Sequence, residues 1–507
     1  MSTGLINTLE EVGALLDIGI ALSAEKDHDR LLDRIVTEAR RITSADAGTL
    51  YLCESEKLVF KIIHNEIMKV FLGGNGEPVN LPPVPLRQEN VSAFTALKRK
   101  VVNISDVYQA EGFDFSGPKR YDQMTGYRTT SMLVVPLENH ESDVIGVLQL
   151  INAKDSEGKV IPFAPYLEKV VTSLASQAAI SMTNRQLLED IEQLFNSFVE
   201  VMATAIDAQT PYNANHTRRV AQLAGALARA VDATNEGPWA KEYFDEQRLN
   251  HLVMSAWLHD IGKITTPLSV MNKATRLGDR QEMVLLRLES IASALRRDYL
   301  EAKLAAREKG SLVEAERVEA EWAEAWADWQ RIRDLIINAD NPSGRITPEI
   351  VRELEALMER TYLDAAGNRH TWLTAAEVEA LSVVRGTLTE EERRQMEGHV
   401  EVTERLLSKV PFPPKMADVP RWAAMHHEHL DGKGYPQRMS GDDIPIEARI
   451  LSIVDVYDAL TAADRPYKKA MPVEDALRIL GFMVKDGKLD EGLYRIFCDQ
   501  KVWEKID

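Results

Sequence analysis

At 507 residues, 45% hydrophobic and 27% charged, the chain is too long for one ordinary core and too apolar for a disordered segment, and about 100 to 200 residues per domain predicts two or three domains. Its 79 acidic residues against 60 basic ones leave a net charge of -19, which excludes duplex nucleic acid and an acidic membrane as main partners. The two cysteines, Cys53 and Cys498, stand near opposite ends of the chain and build neither a disulfide framework nor a thiolate metal cluster, which fits a reducing compartment. The opening MSTGLINTLEEVGALLDIG has no basic leader or cleavage-like site, and no run approaches the roughly 18 apolar residues of a membrane span, so a cytoplasmic protein is expected.

Residues 1–26 are expected to carry an N-terminal helix with apolar spacing from Leu5 to Leu22. Asp27 or Asp29 then caps a helix bearing Leu31, Leu32, Ile35, Val36 and Ala39. The runs GTLYLCE and KLVFKII, and later TTSMLVVPLE and DVIGVLQLINA around the polar turn NHESD, predict strands. After Pro165 a helical pattern continues past Ile180, Leu187, Leu188, Ile191, Leu194, Phe195, Phe198, Val201 and Met202 with no Gly or Pro, which predicts one long connecting helix. Its near-heptad spacing suits a parallel homodimer that transmits a shift in register or rotation, although packing within one chain has the same pattern.

From His216 onward the reading is nearly all helical. Between about Gly278 and Arg385 the composition turns rich in Ala, Glu and Arg, with Gly310 and Ser311 between two long charged stretches. This predicts an antiparallel helical hairpin inserted as a solvated spacer.

Chemistry concentrates in the histidines. Of 11, several in the second half lie beside carboxylates, in NANHTRRV, WLHDIGK, MEGHVEV and MHHEHLDGKGYP. Neutral imidazole with carboxylate suits manganese, iron, zinc or nickel, and a carboxylate between two ions bridges them. Asp455 sits in ARILSIVDVYDALTAA, whose Ile450, Leu451, Ile453, Val454 and Leu460 mark a buried helix. A buried carboxylate there needs a metal, a cap or a cationic partner.

Four motifs in order carry a resemblance: His259-Asp260-Ile261-Gly262-Lys263; His426-His427-Glu428 with Asp431-Gly432-Lys433-Gly434-Tyr435-Pro436; Asp455-Val456-Tyr457-Asp458-Ala459-Leu460; and Arg465-Pro466-Tyr467. From about Phe198 to the end the chain resembles the HD-GYP branch of the HD phosphohydrolases. The resemblance implies metal ligands at His216, His259, Asp260, His399, His426, His427 and Asp455, with Asp260 bridging two divalent ions, iron or manganese first. Some members hold a third metal through a Glu that is here Tyr212; a binuclear site is therefore expected, with Asp207 as the alternative third-metal ligand.

By the same resemblance the substrate is cyclic di-GMP, opened to pGpG, with pGpG and GMP both open as the end product. Lys263 would bind a phosphate oxygen or protonate the leaving oxygen, and Arg465 and Lys468 would hold the second phosphate. Gly434, Tyr435 and Pro436 would line a base or ribose. The ten positions from Asp455 to Arg465 are one more than the family pattern has, and the insertion separates the HD pair from His399. Two other readings are a dinucleotide receptor without turnover and an enzyme for cyclic GMP-AMP or another phosphate ester.

Residues 27–181 resemble a GAF domain, through Tyr121 to Thr129 and the hairpin VVPLENHESDVIGVLQLINA. Asn152, Lys154, Phe163 and Glu168 match fragments of a motif of cyclic-nucleotide-binding members, but Leu167 replaces its Asp, so the domain's small ligand is unassigned. The fold class expected is α+β: an α/β GAF domain with a six-stranded antiparallel sheet, a connecting helix over 182–202, and an all-α HD-GYP domain over 203–507 with a helical-hairpin insertion over 278–385.

Overall fold

A computed structural model describes residues 18–21, 24–25, 27–209, 215–364, 366–462 and 470–506. Most of the expected N-terminal helix, Tyr212, and the cations Arg465 and Lys468 lie outside the described residues. The chain divides after Leu194 into two compact units.

In the first unit, helix α1 (His28–Thr43) starts where the Asp27 carboxylate accepts from the Arg30 N–H at 3.0 Å, satisfying a donor that the first turn leaves open. The strands β1 (Ala45–Glu54), β2 (Lys57–Asn65) and β3 (Val70–Leu72) follow, then β4 (Val84–Pro85), helix α2 (Val91–Lys98), β5 (Val102–Ile104), helix α3 (Ser116–Thr125), β6 (Met132–Glu138), β7 (Val144–Lys154) and β8 (Val160–Ile161). The pairing path β3-β2-β1-β7-β6-β5 is antiparallel and six strands long. The two-residue strands β4 and β8 pair with β2 and β7 and extend the sheet beyond the six expected.

Period-two alternation divides the sheet's side chains between two cores. Leu133, Val135, Leu148 and Leu150 pack with Leu31 and Ile35 of α1 and with Val171 and Leu174 of the next helix. Met132, Val134 and Val147 pack on the other face with Val91 and Ala93 of α2 and with Phe115.

The nucleotide-motif fragments make fold contacts here. Lys154 Nζ pairs with the buried Asp46 at 2.9 Å, Phe163 and Leu167 enter the core, and Glu168 accepts from the Asn103 amide at 2.8 Å. Asn152, at a φ of 56° that Asn tolerates better than most residues, accepts from the Thr130 N–H and donates to the Arg128 carbonyl.

Helix α4 (Pro165–Asp207) is continuous for 43 residues. In the second unit it is followed by α5 (His216–Asp232) and α6 (Glu246–Leu258), then by the insertion: α7 (Gln281–Glu308), α8 (Leu312–Asp340), α9 (Pro348–Ala356), strands β9 (Thr361–Leu363) and β10 (Arg369–Thr371), and α10 (Ala375–Leu381). The core resumes with α11 (Glu390–Glu397), α12 (His399–Leu407), α13 (Val419–Ala424), α14 (Ile446–Thr461), α15 (Val473–Lys485) and α16 (Glu491–Asp499).

The β9–β10 hairpin departs from the all-α expectation. It is antiparallel and closes on the Asp364–Asn368 turn, where the Asp364 carboxylate accepts from the Ala366 and Asn368 N–H groups, a local device that a reading weighted toward helical periodicity passes over.

The insertion has its own core, including Leu288, Ile291, Trp329, Ile332, Leu354 and Leu373, and is fastened at its root. Arg276, fully buried, donates to the carbonyls of Ala339 at 2.6 Å, Asn341 at 2.5 Å and Gly344 at 2.8 Å, and so neutralises the end of α8. Lys273 pairs with Glu392 of α11 at 2.6 Å. The main core of the unit joins α5, α6, α14, α15 and α16 through Val220, Leu227, Leu252, Ile450, Val454, Leu480 and Phe497.

Candidate metal centre

Three histidines follow the last turn of a helix. His259 comes after α6, His399 after α11 and His426 after α13. A helix leaves its final carbonyls without intrahelical donors, and each imidazole fills one such vacancy. His259 Nδ1 lies 2.6 Å from the Ala256 oxygen, His399 Nδ1 2.6 Å from Met396, and His426 Nδ1 2.7 Å from Ala423. A carbonyl only accepts, so each Nδ1 carries the hydrogen and each Nε2 is turned away from the backbone. The three Nε2 atoms thus converge on a common point.

Asp260 stands at that point. Its Oδ1 lies 3.3 Å from His399 Nε2 and 4.0 Å from His426 Nε2, and its Oδ2 lies 3.2 Å from His259 Nε2 and 3.5 Å from His216 Nε2. His216, at the start of α5, has no helix end to donate to. Its Nδ1 sits instead 2.7 Å from Asp458 Oδ2, while Arg219 donates to Asp458 Oδ1 at 2.6 Å. Asp455, one turn before Asp458 on α14, brings Oδ1 to 3.3 Å from His216 Nε2. The His427 ring lies 4.1 Å from that of His426 and 5.4 Å from that of His399.

Two groups have ligand atoms close enough to hold an ion, His216 with His259 and Asp260, and His399 with His426 and His427. The donor set passes a direct test of fit. Nε2 of His259, His399 and His426, and Oδ1 of Asp260, are buried and make no hydrogen bond among the described residues, an arrangement costly to leave empty and satisfied by divalent cations.

Charge is distributed unevenly in the metal-free site. Burial opposes protonation of His216 and His259, yet the carboxylates of Asp260 and Asp455 outweigh it and raise both, His259 to about 9. Burial takes His426 well below the usual imidazole range and His427 down to about 4. Asp260 and Asp455 are held well below the carboxylate range by the adjacent cations despite their burial. Lys263 Nζ lies 2.5 Å from Asp260 Oδ2, and that carboxylate keeps it protonated against burial.

Close packing holds the ligands in place. A Cβ on Gly262 would run into the His399 carbonyl and Thr403. Thr403 Oγ1 accepts from the Gly262 N–H at 3.0 Å and donates to the His259 carbonyl at 3.1 Å. A Cβ on Gly434 would meet the backbone of His427, Glu428 and His429, so the loop lies close against that segment. Tyr435 rests its ring 4.8 Å from that of His427, and Pro436 follows it, half-buried. Asp207, at the end of α4, accepts from the Thr217 N–H and hydroxyl at 3.0 and 2.9 Å.

Sequence reasoning assigned no role to Asp458, Arg219, Thr403 or Glu428. Asp458 and Glu428 lie inside quoted motifs, and their burial was the available signal. Glu428 accepts from the Gln437 and Met439 N–H groups at 2.7 and 2.9 Å and ties both ends of the Tyr435 loop.

Residues 27–182 match the GAF domain family model, and residues 213–336 and 375–493 each match an HD domain model, both matches running into the insertion. The chain is a GAF–HD protein. Among known proteins, this GAF–HD chain is 44% identical over 96 residues to the 3'3'-cGAMP-specific phosphodiesterase 3 of Vibrio cholerae serotype O1, covering 19% of this chain and 20% of that one. It is 41% identical over 75 residues to phosphodiesterase 1 of the same specificity and organism, covering 15% and 17%. Against the cyclic di-GMP phosphodiesterase response regulator RpfG of Xanthomonas campestris pv. campestris it is 43% identical over 96 residues, covering 19% and 25%. The matches thus span a quarter or less of these relatives' length. No helix among the described residues is long and apolar enough to cross a membrane.

Proposed function

We propose that this GAF–HD chain is a metal-dependent phosphodiesterase that opens cyclic di-GMP to pGpG, under control of an unidentified small ligand of its GAF domain. The observation that carries the reading is the set of buried Nε2 atoms of His259, His399 and His426, turned toward Asp260 with their Nδ1 atoms committed to helix-end carbonyls.

In this reading His216, His259 and Asp455 hold one divalent ion, His399, His426 and His427 hold the second, and Asp260 serves both; iron and manganese suit such nitrogen and carboxylate donors. The bound pair supplies an acidified water and offsets charge on the phosphoryl oxygens. Lys263, protonated beside Asp260, gives its proton to the leaving 3′ oxygen or holds a phosphate oxygen. Tyr435 and Pro436, on the loop that Gly434 keeps close, line a base or ribose, and Arg465 and Lys468 take the second phosphate.

The names of the two Vibrio relatives favour a second substrate, 3'3'-cGAMP. Both readings are tested by turnover of the two cyclic dinucleotides by anaerobically purified chain reconstituted with manganese or iron, beside an Asp260→Ala control. Linear dinucleotide formation that the control lacks supports the enzyme, and the faster substrate decides between the two. Tight binding without turnover in every metal state makes the chain a receptor instead.

A further inference from the structure

A buried hydroxyl in mid-helix ordinarily gives its hydrogen back to a carbonyl one turn earlier in the same helix, as Thr461 of α14 does to Tyr457 at 2.9 Å. Two hydroxyls around the candidate metal centre reach to another segment instead. Thr403, fully buried on α12, donates to the His259 carbonyl at 3.1 Å and accepts from the Gly262 N–H at 3.0 Å. Ser452, buried on α14, lies 2.7 Å from the His426 carbonyl and 3.0 Å from that of Ala448 in its own helix. Its single hydrogen serves both oxygens, and the shorter contact is the one between segments.

Each hydroxyl stands beside a candidate ligand. Thr403 follows His399 by four positions and Ser452 precedes Asp455 by three, spacings that put each pair on one helix face. The backbone groups they hold also belong to candidate ligands. The His259 carbonyl and the Gly262 N–H flank Asp260 on either side, and the His426 carbonyl directly precedes His427. Sorted by ion, the ties cross. Thr403 joins the helix of His399, assigned to the second ion, to His259 of the first; Ser452 joins the helix of Asp455, assigned to the first, to His426 of the second. Asp260 alone is assigned to both ions, so the two hydroxyls add links that do not run through it.

We infer that Thr403 and Ser452 are positioning residues that set the spacing between the two ions, each hydroxyl pinning a ligand of one ion to the helix that carries a ligand of the other. The inference rests on the two-ion phosphodiesterase reading. Hydrogen bonds suit this task because they are directional. Thr403 holds the turn at Asp260 by a donor and an acceptor at once, whereas an apolar contact of the same shape constrains distance but not direction. Valine has nearly the shape of threonine and leaves the Gly262 N–H and the His259 carbonyl without that partner.

The test titrates the metal-free full chain with manganese by calorimetry and reads the bound pair by electron paramagnetic resonance, where the exchange signal of two manganese ions tracks their spacing. Thr403→Val weakens uptake of the second ion about 10- to 100-fold, the usual range for losing a partner behind a ligand, and shifts the exchange signal. Thr403→Ser, which keeps the hydroxyl, restores both. Ser452→Ala acts in the same direction and carries the test alone if circular dichroism shows the valine variant unfolded. Variants that bind both ions as the unaltered chain does, with the same exchange signal, overturn the inference even if they melt earlier, since the hydroxyls then serve the fold and not the spacing. An unaltered chain that takes up fewer than two manganese ions overturns the two-ion reading itself, and the spacing role with it.

Discussion

Asp458→Asn tests the metal centre without touching a proposed ligand. Asp458 is 2% exposed, and its Oδ2 takes both His216 Nδ1 at 2.7 Å and Arg219 Nη2 at 3.1 Å, while its Oδ1 takes Arg219 Nε at 2.6 Å. Asparagine has only one acceptor oxygen. If that oxygen takes the Oδ1 place, the amide NH₂ meets both Arg219 Nη2 and His216 Nδ1, which must then accept, and the ring hydrogen moves to Nε2, the atom facing Asp260 and Asp455. If it takes the Oδ2 place, the NH₂ group points at Arg219 Nε, which can only donate. Either arrangement also removes a negative charge that holds the His216 ring in place. Loss of a carboxylate behind a metal-bound imidazole typically weakens binding about 10- to 100-fold, or roughly 1.4 to 2.7 kcal/mol. The assay is manganese titration of metal-free protein by calorimetry, with circular dichroism to confirm the fold. Binding unchanged within about twofold would refute the claim that Asp458 sets the His216 tautomer, and loss of helical signal would move the effect from the site to the fold.

Metal uptake at neutral pH should release about one to two protons, because His216 and His259 are held charged in the metal-free site, His259 up to about 9, and must lose that proton to ligate. Apparent affinity therefore rises with pH through that value, whereas calorimetric heats independent of buffer ionisation enthalpy would contradict the assignment. Gly262→Ala drives a methyl into the His399 carbonyl and Thr403 and should destabilise the second unit by about 1 to 3 kcal/mol, read as a lowered melting temperature of the metal-free chain; an unchanged melt would mean that the two helix ends are not locked together. Arg276→Met removes three charge-assisted bonds from the end of α8 and should cost about 3 kcal/mol. Its mark is faster proteolysis between residues 338 and 346 with manganese binding intact, and equal proteolysis of the two forms would exclude the clasp.

The candidate site was legible because the residue types that could hold a metal are few and punctuated by local structure. His259-Asp260 and His426-His427 are adjacent pairs that no packing rule calls for, and the apolar run around Asp455 announced that the carboxylate is buried. The strands were legible for a similar reason, since TTSMLVVPLE and DVIGVLQLINA differ visibly from the helical stretches. The Asn152 and Lys154 fragments show the limit of such reading: the residues are there, but the partner of Lys154 is Asp46, 108 positions away, and nothing in the spacing reveals it.

By itself, then, the sequence marked the candidate ligand side chains, the order of the two domain types and the long helix between them, because these depend on residue type and short-range periodicity. Tertiary structure alone decided that three helix ends orient the imidazoles, that Asp458 and Arg219 stand behind His216, and that on α4 Val199, Ala203 and Ile206 are buried while Leu187, Ile191 and Leu194 are left open. Those outcomes depend on distances between residues far apart in the chain, and hydrophobic periodicity marks a face as apolar without saying what will cover it.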